Sequence, residues 1–207
     1  MSNNKNNTGL DSSIEKIKVI MVVDDLSDNK VYHLKPGYKF QYYQDGDKEA
    51  WIKIQCEVGH FESSEAANER FDSEFKESKL LKERLLFVLD SDNNKVATAM
   101  MWFGQVNDKK IDRLHWIAVS PKHQGQRITH AMLSELLKDY DSSDKIYLTS
   151  QTWSYRAISI YYRFNFIPYP FEHIKHYFKL SLEEIKNSNF ETAKLKRAWD
   201  LIDKKII

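Results

Sequence analysis

The chain has 207 residues, enough for one domain or one domain with an extension, and its 42% hydrophobic and 13% aromatic content supports a sizeable core and excludes global disorder. Lysine and arginine number 31 against 30 acidic residues, a net charge of +1, so neither a global basic field for nucleic acid nor an acidic excess for a cationic partner is present. Cys56 is the only cysteine, which excludes an intramolecular disulfide, leaves any zinc site in need of other ligands, and fits a buried structural thiol.

Residues 1–13, rich in Asn and Ser, read as a mobile tail with no apolar signal region. The apolar run Val19–Val23 is far short of the ~20 residues a membrane helix needs. Together these features predict a soluble, cytoplasmic protein with no membrane partner. Residues 15–23 fit a helix end or an accessory strand equally well, and Asp24–Lys30 reads as a turn. Tyr38–Tyr42 alternates apolar and polar residues as a strand does. Asp45, Gly46 and Asp47 break that strand and offer an N-cap for a helix over Lys48–Glu57. Ser63 or Ser64 caps a second helix, with Ala67, Phe71 and Phe75 at i, i+4, i+8.

The pattern then changes to strands: Leu85–Leu89, a hairpin-type turn over Asp90–Asn94, Val96–Phe103, and Arg113–Val119. Pro121 follows the third of these, and Ile128, Ala131, Met132, Leu136, Leu137 and Tyr140 form a helical stripe from a start near Gly125. Asp141–Asp144 stops that helix and Lys145–Thr149 is a further strand. Ser154 can cap a helix carrying Ala157, Ile160, Tyr161 and Phe164, ended by Pro168 and Pro170. Ser181–Glu184 fits a capping box, and Leu195, Trp199, Ile202 and Ile206 give one or two amphipathic helices that pack on the core or on a second subunit. The order predicts a mixed α/β fold with an antiparallel meander at its centre. The boundaries are an N-terminal accessory segment (1–28), a main domain (29–180) and a C-terminal helical extension (181–207).

Two stretches carry chemistry. Leu114–Leu133 reads LHWIAVSPKHQGQRITHAML, a strand, a polar loop and a helix start. A helix start offers unpaired N–H groups and the positive end of a dipole, which suit a pyrophosphate, and Gly125 admits close approach of a ligand to the backbone. Leu148–Pro168 reads LTSQTWSYRAISIYYRFNFIP, a strand followed by an amphipathic helix. His115, on the same strand face as Ile117 and Val119, reads as a partly buried histidine bonded to a neighbour or, if the chemistry needs one, as a general base, with Asp112 and Glu57 weaker candidates for that role. His173 and His176 could be read as metal ligands, but no third ligand accompanies them, so no metal site is expected.

Over residues 38–170 the two stretches together resemble the GNAT superfamily of N-acetyltransferases. Val119, Ser120 and Pro121 match the family's Val-x-Pro. Gln124, Gly125, Gln126, Arg127, Ile128 and Thr129 occupy its Gln/Arg-x-x-Gly-x-Gly/Ala. Ala157, Ile160, Tyr161, Asn165 and Phe166 take the places of Ala-x-x-Leu-Tyr-x-x-x-Gly-Phe. Arg127, Thr129 and Asn165 depart from the small residues usual at their positions; asparagine tolerates a left-handed backbone well.

The resemblance implies a central, mostly antiparallel sheet flanked by helices, and acetyl-CoA as co-substrate with no metal. It implies that backbone groups of Ile117, Ala118 and Val119 hold the pantetheine arm and that Gln124–Thr129 hold the pyrophosphate. Tyr161 would be the general acid, and Ser154 would bond the arm if it does not merely cap. The implied acceptor is a primary amine of a small molecule, amino acid or peptide, with no nucleic-acid partner and a homodimer left open. The alternative function is a non-catalytic acyl-CoA-binding sensor or interaction protein on the same fold.

Overall fold

A computed structural model describes residues 10–23, 26, 30–75, 78–106, 109–140, 146–169 and 192–206. The expectations for residues 1–9, for most of the Asp24–Lys30 turn, for Asp141–Asp144, for His173 and His176 and for the Ser181–Glu184 capping box lie outside them.

Seven strands and six helices are described: β1 (Lys18–Val23), β2 (Lys39–Tyr42), α1 (Lys48–Glu57), α2 (Ser64–Glu74), α3 (Ser78–Arg84), β3 (Leu85–Leu89), β4 (Lys95–Val106), β5 (Lys109–Val119), α4 (Ile128–Leu137), β6 (Ile146–Gln151), α5 (Tyr155–Tyr162), β7 (Phe166–Pro168) and α6 (Thr192–Ile206). The strands are hydrogen-bonded in the order β2-β3-β4-β5-β6-β1-β7. The β1–β6, β1–β7, β2–β3 and β3–β4 ladders are antiparallel, and β5–β6 is parallel. A parallel pair needs a crossover, and α4 supplies it. This is the mixed α/β fold that the residue pattern predicts, with the sheet flanked by helices that the resemblance implies.

The chain divides into two compact units. The described residues of one fall within Val31–Trp102 and His115–Asp139, and those of the other within Leu10–Lys30, Phe103–Leu114 and Tyr140–Ile207. In the first unit α1 forms where Gly46, at φ +97, closes the turn after β2. Asp47 stands at the N-cap without capping; its carboxylate accepts instead from the Gln44 N–H (3.0 Å) and Gln41 Nε2 (3.2 Å) and pairs with Lys95 (2.9 Å). Ser63, not Ser64, caps α2, its hydroxyl accepting from the Ala66 N–H at 3.2 Å.

Trp51 of α1 is fully buried, its ring edge-on to Phe71 (5.2 Å between centroids), Phe75 (5.9 Å) and Trp116 (5.5 Å). Edge-to-face geometry aligns the positive ring edge with a neighbour's negative face, so this cluster joins α1, α2 and the end of β5 with orientation as well as burial. Every residue of β3 is buried, which accounts for its unbroken apolar run: α4 covers one side, and β2 and β4 pair with its edges. Helix α3, which the pattern reading did not anticipate, buries Leu81.

In the second unit the ambiguous segment before residue 24 proves to be a strand. β1 lies antiparallel between β6 and β7, with Ile20 opposite Thr149 and Val22 opposite Ile167. Thr152, fully buried, fixes the chain entering β1: its hydroxyl accepts from the Ile17 N–H (2.9 Å) and donates to the Glu15 carbonyl. Helix α6 packs on α5, β1 and the 3-10 turn Thr152–Ser154, burying Ala198 and Ile202. Arg197–Glu15 (2.6 Å) and Lys205–Asp11 (3.3 Å) tie its exposed side to the chain before β1. The C-terminal helix is therefore part of its own unit's core.

Candidate functional site

The phosphate-loop candidates follow one another within the first unit. Ile117, Ala118 and Val119 end β5, and Pro121–His123 form a 3-10 turn. The helix does not start near Gly125 but three residues later, at Ile128. The delay has a backbone cause: Gly125 (φ +77) and Arg127 (φ +61) are both left-handed, a conformation no α-helix accommodates. The position that departs most from the family's glycine therefore carries a glycine's conformation. Asn165, the other departure from glycine, is also left-handed, at φ +57, and asparagine fits there at small cost.

Several features make the loop a cradle. A Cβ built on Gly125 meets nothing within 4 Å, so the space over that backbone is open. The first turn of α4 carries no acid, and the Arg127 side chain does not cap it. Gln126 closes the turn over Gln124–Gly125, and among the described residues the N–H groups of Gly125, Arg127, Ile128 and Thr129 have no internal acceptor; such groups seek an anion or water. The Arg127 side chain is exposed and has no ion-pair partner among the described residues, so it does not fill the loop. Its left-handed backbone costs about 1–2 kcal/mol, partly offset by the extra chain entropy a glycine would have when unfolded. Arg127→Gly is accordingly expected to raise stability by about 0.5–1 kcal/mol, read from the urea midpoint. A lower midpoint would mean that the arginine side chain stabilises the loop.

Not every predicted ligand group is unengaged. Gln124 turns inward, its Nε2 donating to the Val119 carbonyl at 3.1 Å, so that carbonyl already has a donor. Gln126 accepts from Lys35 Nζ at 2.9 Å, and Tyr38 bonds His123 Nδ1 at 3.0 Å. The segment before β2 thus braces the loop. No local motif announces this brace, because its partners stand 85 and 91 residues apart.

The three base candidates are all engaged. Glu57 accepts from the Ser120 hydroxyl at 2.5 Å, and Asp112 accepts from the Tyr140 hydroxyl at 2.8 Å. His115 Nε2 lies 2.6 Å from Glu74 Oε1. The next residue, Trp116, has φ +48, an outlier for a bulky side chain that costs about 1–3 kcal/mol and needs surroundings that hold it. Gln55, buried on α1, donates to the Trp116 carbonyl at 2.9 Å, and Glu74 Oε2 accepts from the indole N–H at 3.2 Å. Because Trp116 interrupts the extended backbone, counting alternate residues from His115 to Ile117 and Val119 does not establish a shared face. Cys56 is half-buried rather than buried, beside Ser64 and Glu65, and burial raises its thiol pKa.

Ser154 and Tyr161 belong to the second unit. Ser154 stands at the N-cap of α5, but its side chain makes no capping bond, because the backbone enters through the 3-10 turn rather than from an extended residue. Tyr161 is 7% exposed and its ring packs edge-on to Phe166 at 6.2 Å. Its hydroxyl has no hydrogen-bond partner among the described residues, and burial holds its pKa well above that of an ordinary phenol. Tyr162, half-buried, is pushed up to about 12 by burial and by the Asp203 carboxylate. A depression of about 410 Å³ between α1 and α2, lined by Glu49, Ile52, Ser64, Glu65, Asn68 and Glu69, contains none of these groups. Among the described residues no cluster of three or more metal-ligating side chains occurs, and no helix is long and apolar enough to cross a membrane.

Solved structures share this architecture. A GCN5-related N-acetyltransferase from Sphaerobacter thermophilus superposes with a TM-score of 0.54 at 17% identity, over 74% of this chain and 49% of that one. A GNAT-family acetyltransferase from Colwellia psychrerythraea gives 0.56 at 9% identity, over 75% and 54%. A glucosamine N-acetyltransferase region in a fungal multi-domain β-N-acetylglucosaminidase gives 0.53 at 14% identity, over 77% and 20%. The aligned region thus spans about half the length of the first two and a fifth of the third, and at these identities the likeness is one of fold. No curated protein matches the sequence. The model of the acetyltransferase (GNAT) family matches residues 47–166, more than half of the chain, and the chain belongs to that family.

Proposed function

We propose that the protein transfers an acetyl group from acetyl-CoA to a primary amine of a small molecule, an amino acid or a peptide, by direct attack of the amine on the thioester. The observation that carries this reading is the loop after β5. Two left-handed residues deliver a helix start with open space over Gly125, no acid in its first turn, and N–H groups without recorded internal acceptors. Those features suit the pyrophosphate of a coenzyme A thioester.

In this reading the N–H groups of Gly125, Arg127, Ile128 and Thr129 bind the two phosphates, with Gln126 between them in the loop, and the exposed Arg127 guanidinium adds a charged donor. The β5 backbone from Ile117 to Val119, apart from the carbonyl that Gln124 holds, pairs with the pantetheine arm as an added strand would. An N–H there polarises the thioester carbonyl. Ser154, which makes no capping bond, is assigned to the same arm. Tyr161 is the residue that the family pattern makes the acid. Its phenol stays protonated at neutral pH and can protonate a departing thiolate, whose conjugate acid is near ~8.5.

The experiment is release of CoA thiol from acetyl-CoA over a panel of primary amines. Release that depends on an amine, with the acetylated amine identified by mass, supports the transferase. Binding of acetyl-CoA with no release for any amine supports a sensor on the same fold instead, the reading to which the arginine at position 127 lends some weight.

A further inference from the structure

We propose that His115, paired with Glu74, takes the proton from the acceptor amine, and that the distorted backbone at Trp116 exists to build this pair. The assignment rests on the acyltransferase reading and adds to it the group that generates the nucleophile.

In a regular strand consecutive side chains point to opposite faces. Here His115 and Trp116 reach the same carboxylate, one at each oxygen, 2.6 and 3.2 Å away. The left-handed Trp116 makes this convergence possible. Gln55 locks the distortion through the Trp116 carbonyl, and is itself held by His60 Nδ1 at 2.5 Å from its Oε1. Three polar side chains from α1, the turn after it and α2 thus converge on two residues of β5.

A purely structural ion pair would not require a strained strand, and this one is not sealed: the His115 and Glu74 side chains remain 11% and 21% exposed. They border partly exposed aromatic rings, Trp116 and Phe61, whose centroids lie 5.2 Å apart, with His60 6.0 Å from Trp116. A carboxylate with aromatic faces beside it attracts an ammonium group.

An ionised carboxylate only accepts, so Nε2 carries the hydrogen and Nδ1 of the neutral imidazole carries the lone pair. The ammonium gives one proton to Nδ1, and Glu74 balances the imidazolium charge. The freed nitrogen lone pair then forms the C–N bond as the C–S bond breaks. A second proton leaves nitrogen while the thiolate gains one. The balance is an ammonium ion and a thioester going to an amide, a thiol and one proton, which His115 passes to water. His115 is the catalytic residue here, and Glu74 and Gln55 are positioning residues.

The test measures thiol release at saturating acetyl-CoA, using the fastest of spermidine, L-lysine, tyramine and a peptide with a free N-terminus. His115→Gln is expected to lower kcat by about 100-fold at neutral pH, with acetyl-CoA affinity by calorimetry unchanged. The gap should narrow to under about tenfold near pH 10, where roughly a third of an aliphatic amine of pKa ~10.4 arrives neutral, against well under ~1% at pH 7. Around the pair stand His60 after α1, in ring contact with Trp116, and Glu57 on α1, which Ser120 bonds; the other charged groups of the two helices are Lys48, Glu49 and Lys53 on α1 and Glu65, Glu69, Arg70 and Asp72 on α2. Glu74→Gln, of the same size, should show a loss of about tenfold with the same pH recovery. A parental kcat in both variants, or a deficit constant across pH, overturns the assignment while leaving the transferase standing. No amine-dependent release by the unmodified protein removes the transferase reading and this assignment with it.

Discussion

Tyr161→Phe is expected to lower kcat by about 100-fold or more, with acetyl-CoA affinity and folding stability nearly unchanged. The expectation of unchanged stability comes from the hydroxyl's surroundings. It has no hydrogen-bond partner among the described residues, so its removal strands no donor or acceptor, while the ring keeps its packing against Phe166. The rate effect comes from the proton. A phenol is protonated at neutral pH and can donate to a leaving thiolate where a phenyl ring cannot; its burial raises the pKa and so does not add to that acidity.

The sign of the pH effect follows from the same burial. The folded phenol's pKa lies above the unfolded value near ~10, so this group leaves stability unchanged below that value. Stability then falls as pH rises from there towards the folded value, and the Phe variant lacks that alkaline loss. Tyr162→Phe is the control. That neighbour's phenol is also pushed up, to about 12, but by burial together with Asp203, and the family pattern gives it no role. Equal losses in the two variants would remove Tyr161 from the acid role.

Gly125→Val is expected to weaken acetyl-CoA binding by about 10- to 100-fold, equivalent to about 1.4–2.8 kcal/mol. Two effects act in that direction. The valine side chain would occupy space that nothing in the protein fills, where the pyrophosphate is proposed to lie against the backbone. The backbone at φ +77 also disfavours any β-branched residue and pulls the loop away from its present shape. Gly125→Ala separates the two, because it carries the left-handed penalty with far less bulk. A thermal melt without donor should show both variants folded, since the added Cβ meets no neighbour within 4 Å. Parental affinity in the valine variant would place the pyrophosphate elsewhere.

What the residues revealed in advance was mostly local. The Asp45-Gly46-Asp47 break places α1, the unbroken apolar run Leu85–Leu89 is buried along its whole length, and Ser63 caps α2. Each depends on neighbours within a few positions, where propensity and periodicity operate. The departures from the family's glycines were also informative, since Arg127 and Asn165 both prove left-handed.

Long-range pairing was not legible. Lys18–Val23 is a strand because β6 and β7 flank it, and those partners lie more than 120 residues away. Helix α3 is short and charged, with Leu81 its one fully buried apolar anchor, so no stripe announces it. Nothing near Trp116 signals a reversed φ, because the residue that adopts it is neither glycine nor asparagine and is held by Gln55 and Glu74 from distant helices. The loop after β5 could be recognised from its sequence; the pairing of His115 with Glu74 could not, because the two stand 41 residues apart.

The most direct test of the central claim is a calorimetric titration of the protein with acetyl-CoA, repeated with dephospho-coenzyme A and with pantetheine. The expected result is 1:1 binding by acetyl-CoA and by the dephospho form, both of which retain the pyrophosphate, and a loss of at least about tenfold with pantetheine, which lacks it. No measurable binding of acetyl-CoA, or equal binding of pantetheine, would contradict the assignment of Gly125–Thr129 as the pyrophosphate cradle.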